Sequence, residues 1–492
     1  GSDLPIEEDS NDPIFRKYQA FKSYTATDWI EKVHKAVKAI NPHTAICTYM
    51  DDYVDIIRHE SLTGSLPYWP YQSSDNVSST MHSHPNKIVS NASIQQISFQ
   101  SRYNAIEPEE TAIRLYENIA NGSGLDMSLM GDFRNYQDER NFAMWEALYA
   151  HHKKYEPYFG HYQSPAEICI VSPGYWPGGS TAQEYRGIQA MLKETHLQFD
   201  IIESEELKKL EKKLSRYRLF ILPQIVDLDT ETIELLTELC IQGKAIIATN
   251  LTMADNESAL HQLFGASRME NLDDGAGYYL SPENKRLFQS FQNQSLLFWK
   301  FQLGFYDFSE ADETYLPIYT PGQPGPPEKI GGHEPTGYHA IGMKAHQKGL
   351  AVLMPLNLGR LYYIHGFEQH KNILLDVIHA TLPDASDLVQ TDAHERVEVV
   401  LQNYIENTPE NFHQVHPDGM ILHLINLTGF SRNTYFNPLP IHNMHFRIRT
   451  GFKPAAIQAM VKNKNVSFLY DGGYTTFTLD HFGQFEGLVI ER

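Results

Sequence analysis

The sequence predicts a multidomain α/β chain: part of a TIM-type β/α barrel, then a flavodoxin-like doubly wound domain, then a C-terminal antiparallel β-sandwich. Three observations predict it. At 492 residues the chain is too long for one ordinary domain. Up to about residue 385, short apolar runs alternate with stretches of helical periodicity, the pattern of parallel strands joined by helices. From about residue 388 the texture changes to short runs separated by turn residues, which suits a small antiparallel sandwich. The expected domains are residues 1–160, 161–385 and 386–492.

In the first domain, Asp12-Pro13 reads as a helix start, an N-cap acceptor followed by proline at the first helical position. A second helix is expected over 27–40, where Trp29, Ile30, Val33, Val37 and Ile40 recur at helical spacing before Asn41-Pro42 stops it. Strands follow at TAICTYM, YVDIIRHE and ASIQQISF. A helix, PEETAIRLYENIANG, opens on Pro108 and closes on Gly122. LDMSLMG is a fourth strand, and an amphipathic helix covers 138–155. The segment KKYEPYFGHYQSP (153–165) breaks the pattern and marks a boundary.

The second domain opens on the buried strand AEICIVSP, followed by the helix TAQEYRGIQAMLKET. QFDII, YRLFILPQ and KAIIAT are further strands, with DTETIELLTELCIQG as the helix before the last. This is the texture of a short doubly wound sheet. The Pro/Gly-rich stretch 320–335 is a long excursion, after which GLAVLMP and RLYYIHG read as strands and QHKNILLDVIHATL as a helix. The last domain offers RVEVVLQNY, MILHLINLTG, MHFRIRTG, AAIQAMV, VSFLYDGG and YTTFTLD. In MHFRIRT, Phe446 and Ile448 alternate with His445, Arg447 and Arg449, so one face is wet.

Composition narrows the function classes. Asp plus Glu number 61 against 40 Lys plus Arg, a net charge of −21, which repels phosphate backbones and argues against a nucleic-acid partner. No apolar run approaches the roughly 20 residues of a membrane span, so no membrane partner is expected. Cys47, Cys169 and Cys240 lie far apart and read as buried free thiols, without metal-type spacing. No signal-peptide pattern is read, Gly1-Ser2 looks like an expression scar that leaves room for a removed native signal, and a cytoplasmic location is expected over a secreted one.

Candidate chemistry gathers in the first domain. TAICTYM runs into Asp51-Asp52, VDIIRHE ends at Glu60, the third strand runs towards Arg102, Tyr103 and Glu107, and LDMSLMG runs into Asp132. Active sites of β/α barrels form where strands deliver side chains at their C-terminal ends. Strand alternation puts Arg58 and Glu60 on one side and His59 on the other. A guanidinium favours the charged form of a neighbouring carboxylate, which suits a nucleophile or positioning group better than a general acid. The loop beyond carries Tyr68, Trp69 and Tyr71, flat faces of the kind on which sugar rings pack, and His82, His84, Asn91 and Arg102 add polar contacts. Each reading has a plainer rival: a strand-end Glu is often a salt-bridge partner, and aromatic loops often only pack. His82 and His84 have weak metal-like spacing, and no metal or other cofactor is expected. In SPGYWPGGS, Pro173 and Pro177 remove donors that a phosphate cradle would use.

The second domain is similar to the class I glutamine amidotransferase fold, whose chemistry needs a cysteine on a strand-to-helix elbow. Here Thr249-Asn250 stands at that place and Cys240 precedes the strand on a helix, so a structural descendant without that chemistry is expected. Taken together, the order of barrel, flavodoxin-like unit and β-sandwich resembles the family 42 β-galactosidases, whose middle unit is called the trimerisation domain. The first unit is closer in wording to bacterial proteins grouped as hypothetical glycosyl hydrolase family 6. DPIFRKYQAFKSYTATDWIEKVHKAVKAINP, VDIIRHES, RLYENIANGSGLD, AEICIVSP, GRLYYIHGFEQH, LINLTGF and FEGLVIE carry this resemblance. It implies a glycoside hydrolase acting on an oligosaccharide or glycoside, assembled as a homo-oligomer through the middle unit. Only about four barrel strands precede residue 160, so the resemblance implies that the strand bearing the family's acid/base is absent and that Glu60 is nearest to the nucleophile. Glu60 with Asp51, Asp52 or Asp132 would form the carboxylate pair, and Arg58, Trp69, Tyr71, His84, Arg102 and Tyr103 would bind the sugar. The alternative is a non-catalytic carbohydrate-binding or scaffold protein with a degenerate barrel.

Overall fold

A computed structural model describes residues 13–63, 69–174, 179–272, 277–300, 303–322, 325–406 and 417–492. The expected cap at Asp12, the ring of Tyr68 and Pro177 lie outside the described residues. The chain divides into two compact units: 13–63 with 71–152, and 69–70 with 153–492.

The first unit opens with α1 (Pro13–Ile40), a single helix where two were expected. In its Ser/Thr-containing middle, Thr25 Oγ1 turns back to donate to the Phe21 carbonyl at 2.7 Å. Ile30, Val33 and Val37 pack on Ile46, Val54 and Ile57, whereas Trp29 and Ile40 face solvent. Next come β1 (Cys47–Thr48), β2 (Ile56–Ser61), α2 (Gln72–Ser83), β3 (Ile88–Ile94), the hairpin β4 (Gln96–Ser98) and β5 (Ser101–Ala105), α3 (Pro108–Asn121), β6 (Gly124–Ser128) and α4 (Phe142–Tyr155). Strands β1, β2, β3 and β6 form one four-stranded parallel sheet in that order, which among the described residues is an open wall like part of a barrel. Cys47 is exposed, contrary to expectation, because β1 is only two residues long.

Helix α2 was not legible in the sequence: QSSDNVSSTMHS has serines where an apolar stripe would be. Its buried face is polar, and hydrogen bonds replace the missing hydrophobic contacts. Ser61 Oγ meets Ser73 Oγ at 2.8 Å, Thr80 Oγ1 meets His59 Nε2 at 2.6 Å, and Asn76 donates to Asn91 at 3.0 Å. The Glu117 carboxylate of α3 accepts from the Ser73 and Ser74 amides at 3.1 Å each, taking up donors that the first turn of α2 leaves without helical partners.

The second unit holds β7 (Tyr162–Gln163), β8 (Ile168–Ser172), α5 (Gly179–Glu194), β9 (Phe199–Glu203), β10 (Leu219–Pro223), α6 (Thr230–Ile241) and β11 (Ala245–Thr249). A series of strands follows: β12 (Ser267–Leu272), β13 (Gly277–Leu280), β14 (Leu297–Trp299), β15 (Leu303–Asp307), β16 (Glu313–Gly322), β17 (Pro335–His346) and β18 (Gly349–Met354). Helices α7 (Leu358–His365) and α8 (Glu368–Thr381) close this part. The parallel order β9-β8-β10-β11-β18 is the flavodoxin-like 2-1-3-4-5 arrangement. Both of its faces are buried: Ile168 and Ile170 lie in one core cluster, and Cys169 and Val171 in the other. Within the Pro/Gly-rich excursion, residues 325–334 form a short 3-10 turn and loop, and the strands around it, antiparallel β17, β16, β13 and β14, extend the same sheet. RLYYIHG is helical rather than extended; Leu358 and Leu361 bury one face, and Gly366 ends the helix at φ 69°.

The C-terminal strands are β19 (Val389–Thr391), β20 (Val397–Tyr404), β21 (Gly419–Asn426), β22 (Ile441–Arg449), β23 (Ala456–Ala459), β24 (Lys464–Asn465), β25 (Phe468–Asp471), β26 (Tyr474–Phe482) and β27 (Phe485–Glu491). They build two antiparallel sheets, β19-β22-β26-β25 and β24-β23-β27-β21-β20-β7. Phe446, Ile448 and Phe477 of the first sheet share a core with Leu401, Leu422 and Leu488 of the second. The boundary segment thus lends β7 to this sandwich.

Candidate functional site

Helices α1, α2 and α3 cover one face of the parallel sheet, the face of Ile57, His59, Ser61 and Asn91. The opposite face is half-exposed and polar. Register puts Arg58 beside Ser90 and Gly124, and Glu60 beside Ala92 and Asp126. Glu60 and Asp126 therefore stand in one row on one face, two strands apart, about 9–10 Å between backbones. The Glu60 carboxylate accepts a hydrogen bond from the Tyr49 phenol. Asp126 Oδ2 accepts from Ser90 Oγ at 2.7 Å and lies 3.3 Å from Arg58 Nε. The Arg58 and Asp126 side chains are 31% and 28% exposed, open enough to meet a ligand. Burial, then the bond and charge of Glu60, push the Tyr49 hydroxyl above its ordinary pKa. Burial, then the Asp126 charge, do the same for Tyr149 of α4. Both rings keep exposed area beside the carboxylates.

His59, on the helix side, is buried against Thr80; desolvation first and His84 second pull its pKa down to about 4. It belongs to the packing.

The other expected site residues scatter. Asp51 and Asp52 are exposed in the turn after β1, Asp51 lying 3.9 Å from His84 Nε2. Asp132 lies beyond β6, accepts from the Arg134 amide and pairs with its guanidinium at 3.1 Å, which lowers its pKa. It caps a local turn. Tyr71 is 1% exposed, so its ring serves packing and offers no platform. Trp69 groups with the second unit, its ring 6.3 Å from that of Tyr363 and 5.8 Å from the Arg186 guanidinium. Arg102 and Tyr103 stand on the β4–β5 hairpin, a sheet of its own, where Arg102 Nε donates to the Phe99 carbonyl. Sequence reasoning passed over Asp126, Tyr49 and Ser90. The signal for Asp126 was alternation within LDMSLMG, since Asp126 and Ser128 share a face two residues apart.

In the second unit, β11 ends at Thr249 and Asn250 takes φ 52° in the turn after it. Its amide donates to the Met354 and Leu356 carbonyls. Cys240 is buried on α6, and burial pushes its thiol up to about 12, far from a nucleophile.

A parallel β/α wall, a flavodoxin-like unit and a β-sandwich follow one another, the multidomain fold of solved glycosyl hydrolases. No family model matches the sequence, and no curated protein matches it. Solved structures do. The chain is similar to α-L-fucosidase isoenzyme 2 from Paenibacillus thiaminolyticus, at 14% identity over 94% of this chain and 71% of that one, with TM-score 0.70. It is similar to Gan42B, a GH42 β-galactosidase from G. stearothermophilus, at 13% identity over 99% and 70%, with TM-score 0.69. The β-galactosidase of Rahnella sp. R3 matches at 15% identity over 96% and 68%, with TM-score 0.63. At these identities the fold is what is shared. This chain spans about 70% of each of the three neighbours.

Proposed function

We propose that the chain is a glycosidase-type protein acting on an oligosaccharide or glycoside, with Glu60 and Asp126 as its carboxylate pair. The observation that carries this is their shared row on the half-exposed face of a parallel sheet. Glycoside hydrolysis needs two carboxyl groups flanking one bond. Asp126, fixed by Arg58 and Ser90, suits a nucleophile or a charge-stabilising role, because guanidinium and hydroxyl hold its oxygen in place. Glu60, held in place by the hydrogen bond it accepts from the Tyr49 phenol, takes the acid/base role. Tyr49 and Tyr149 offer ring faces to a sugar. The glycosidases among the structural neighbours support the same reading. Assembly into a homo-oligomer through the second unit is part of the proposal, and light scattering after gel filtration tests it.

The test is turnover of a panel of aryl glycosides that includes β-galactosides and α-L-fucosides. Hydrolysis that disappears in Glu60→Gln and Asp126→Asn supports the reading; unchanged turnover in either removes that residue from the mechanism. The second reading, a non-catalytic carbohydrate-binding protein, is favoured by the prior engagement of both carboxylates by protein partners. Saccharide binding by calorimetry with no hydrolysis of any aryl glycoside would establish it.

A further inference from the structure

The C-terminal sandwich contains a cleft of about 580 Å³, within the usual size range of small-molecule sites. Its origin is topological. Strand β25 pairs with β26 only as far as Phe468 opposite Phe477. The chain before it, 464–467, leaves for the other sheet, where Lys464 and Asn465 pair with Ala459 and Gln458. Strand β26 continues to Phe482 with β22 on one side, so beyond Phe477 it has no β25 partner on the other. The two segments diverge and leave a wedge along the unpaired edge of β26, opening on its exposed face.

The lining has a consistent chemistry. Thr476, Thr478 and Asp480 alternate along the exposed face of β26 and present two hydroxyls and a carboxylate in a row. Asn465 and Ser467 add an amide and a hydroxyl from the opposite wall. Lys464 and Asp480 are the charged lining groups, and they pair at 2.7 Å, so the cleft carries no net charge yet offers a donor and an acceptor. Phe468 is partly buried against the sandwich core and contributes an aromatic edge, with Leu469 exposed beside it. Dense hydroxyl and amide groups, balanced charge and an apolar wall fit a neutral polyhydroxylated ligand. They do not fit a phosphate or a carboxylate, which would need uncompensated cations or converging amides.

We propose that this cleft is a second carbohydrate-binding site, separate from the sheet face of the first unit and taking a short neutral saccharide. Its argument is independent of whether that face hydrolyses anything. The test uses the full chain carrying Glu60→Gln and Asp126→Asn, titrated calorimetrically with β-1,4-linked galactotriose and with 2′-fucosyllactose. Expected is saturable binding of at least one of them that Thr478→Trp, which fills the cleft, weakens at least tenfold or removes. Asp480→Ala, which breaks the Lys464 pair, should weaken the same phase. Both positions are exposed, and an unchanged melting temperature confirms that the variants fold. Binding that neither variant alters overturns the proposal, as does no binding of either sugar at 10 mM (about the weak end of lectin-like affinity). Cleft binding without hydrolysis by the unsubstituted chain upholds this inference and removes the glycosidase reading; hydrolysis with an indifferent cleft does the reverse.

Discussion

Glu60 and Asp126 stand in one row of the parallel sheet with Ala92 between them, each already held by a neighbour, Tyr49 and Arg58 respectively. That relationship separates the structure's carboxylate pair from the pairs the sequence offered. Glu60→Gln and Asp126→Asn should each lower kcat/KM on an aryl glycoside by on the order of 10²–10⁴. Asp52→Asn and Asp132→Asn should stay within about twofold of the parent, because both carboxylates sit in exposed turns off the sheet face. Steady-state kinetics on the four variants decides the matter, and a collapse in Asp132→Asn would return that residue to the mechanism.

Glu117 tests how a serine-rich helix is held. Its buried carboxylate is the acceptor for the Ser73 and Ser74 amides, so Glu117→Ala leaves two buried donors unmet. The expected loss is about 3 kcal/mol, against about 1 kcal/mol for Glu117→Gln, which keeps one acceptor oxygen. Urea denaturation measures the difference, and hydrogen exchange at Ser73 and Ser74 should accelerate in the alanine variant first.

His59 makes the first unit acid-sensitive. Its folded pKa of about 4 lies below the ordinary 6.5, so the unfolded chain binds the proton more readily between these values. The stability involved is fully present above pH 6.5 and declines as pH falls towards 4, by up to about 3 kcal/mol. Thermal melts across that window should show the decline, and His59→Gln should flatten it. A melting temperature independent of pH over this range in the parent protein would contradict the assignment.

Gly187 and Gly359 mark the closest approach of α5 and α7. A Cβ at Gly187 would overlap the Gly359 carbonyl, and one at Gly359 would overlap the Glu184 carbonyl. These are backbone atoms that cannot swing aside, so Gly187→Ala should force the helices apart at a cost of at least about 2 kcal/mol. Guanidinium denaturation of the variant checks this; an alanine tolerated without loss would mean that the helices can separate freely.

What the sequence determined by itself was whatever repeats at short range. The period-2 alternation of VDIIRHE correctly placed Arg58 and Glu60 on the face opposite His59, and Pro108 and Gly122 bracketed α3. The apolar strands of the flavodoxin-like sheet and the wet-and-dry alternation of MHFRIRT were equally plain. Tertiary structure decided the rest. Helix α2 exists because Glu117 and Asn91, far away in sequence, satisfy polar groups that local propensity would leave in water. RLYYIHG became a helix because Leu358 and Leu361 had a core to fill, a context that overrides the extended preference of its aromatic and β-branched residues. Tyr71 went inward and Asp132 into a turn, while register across β2, β3 and β6 brought Asp126 level with Glu60. A row across a sheet joins residues some thirty positions apart, and only strand pairing sets which of them meet.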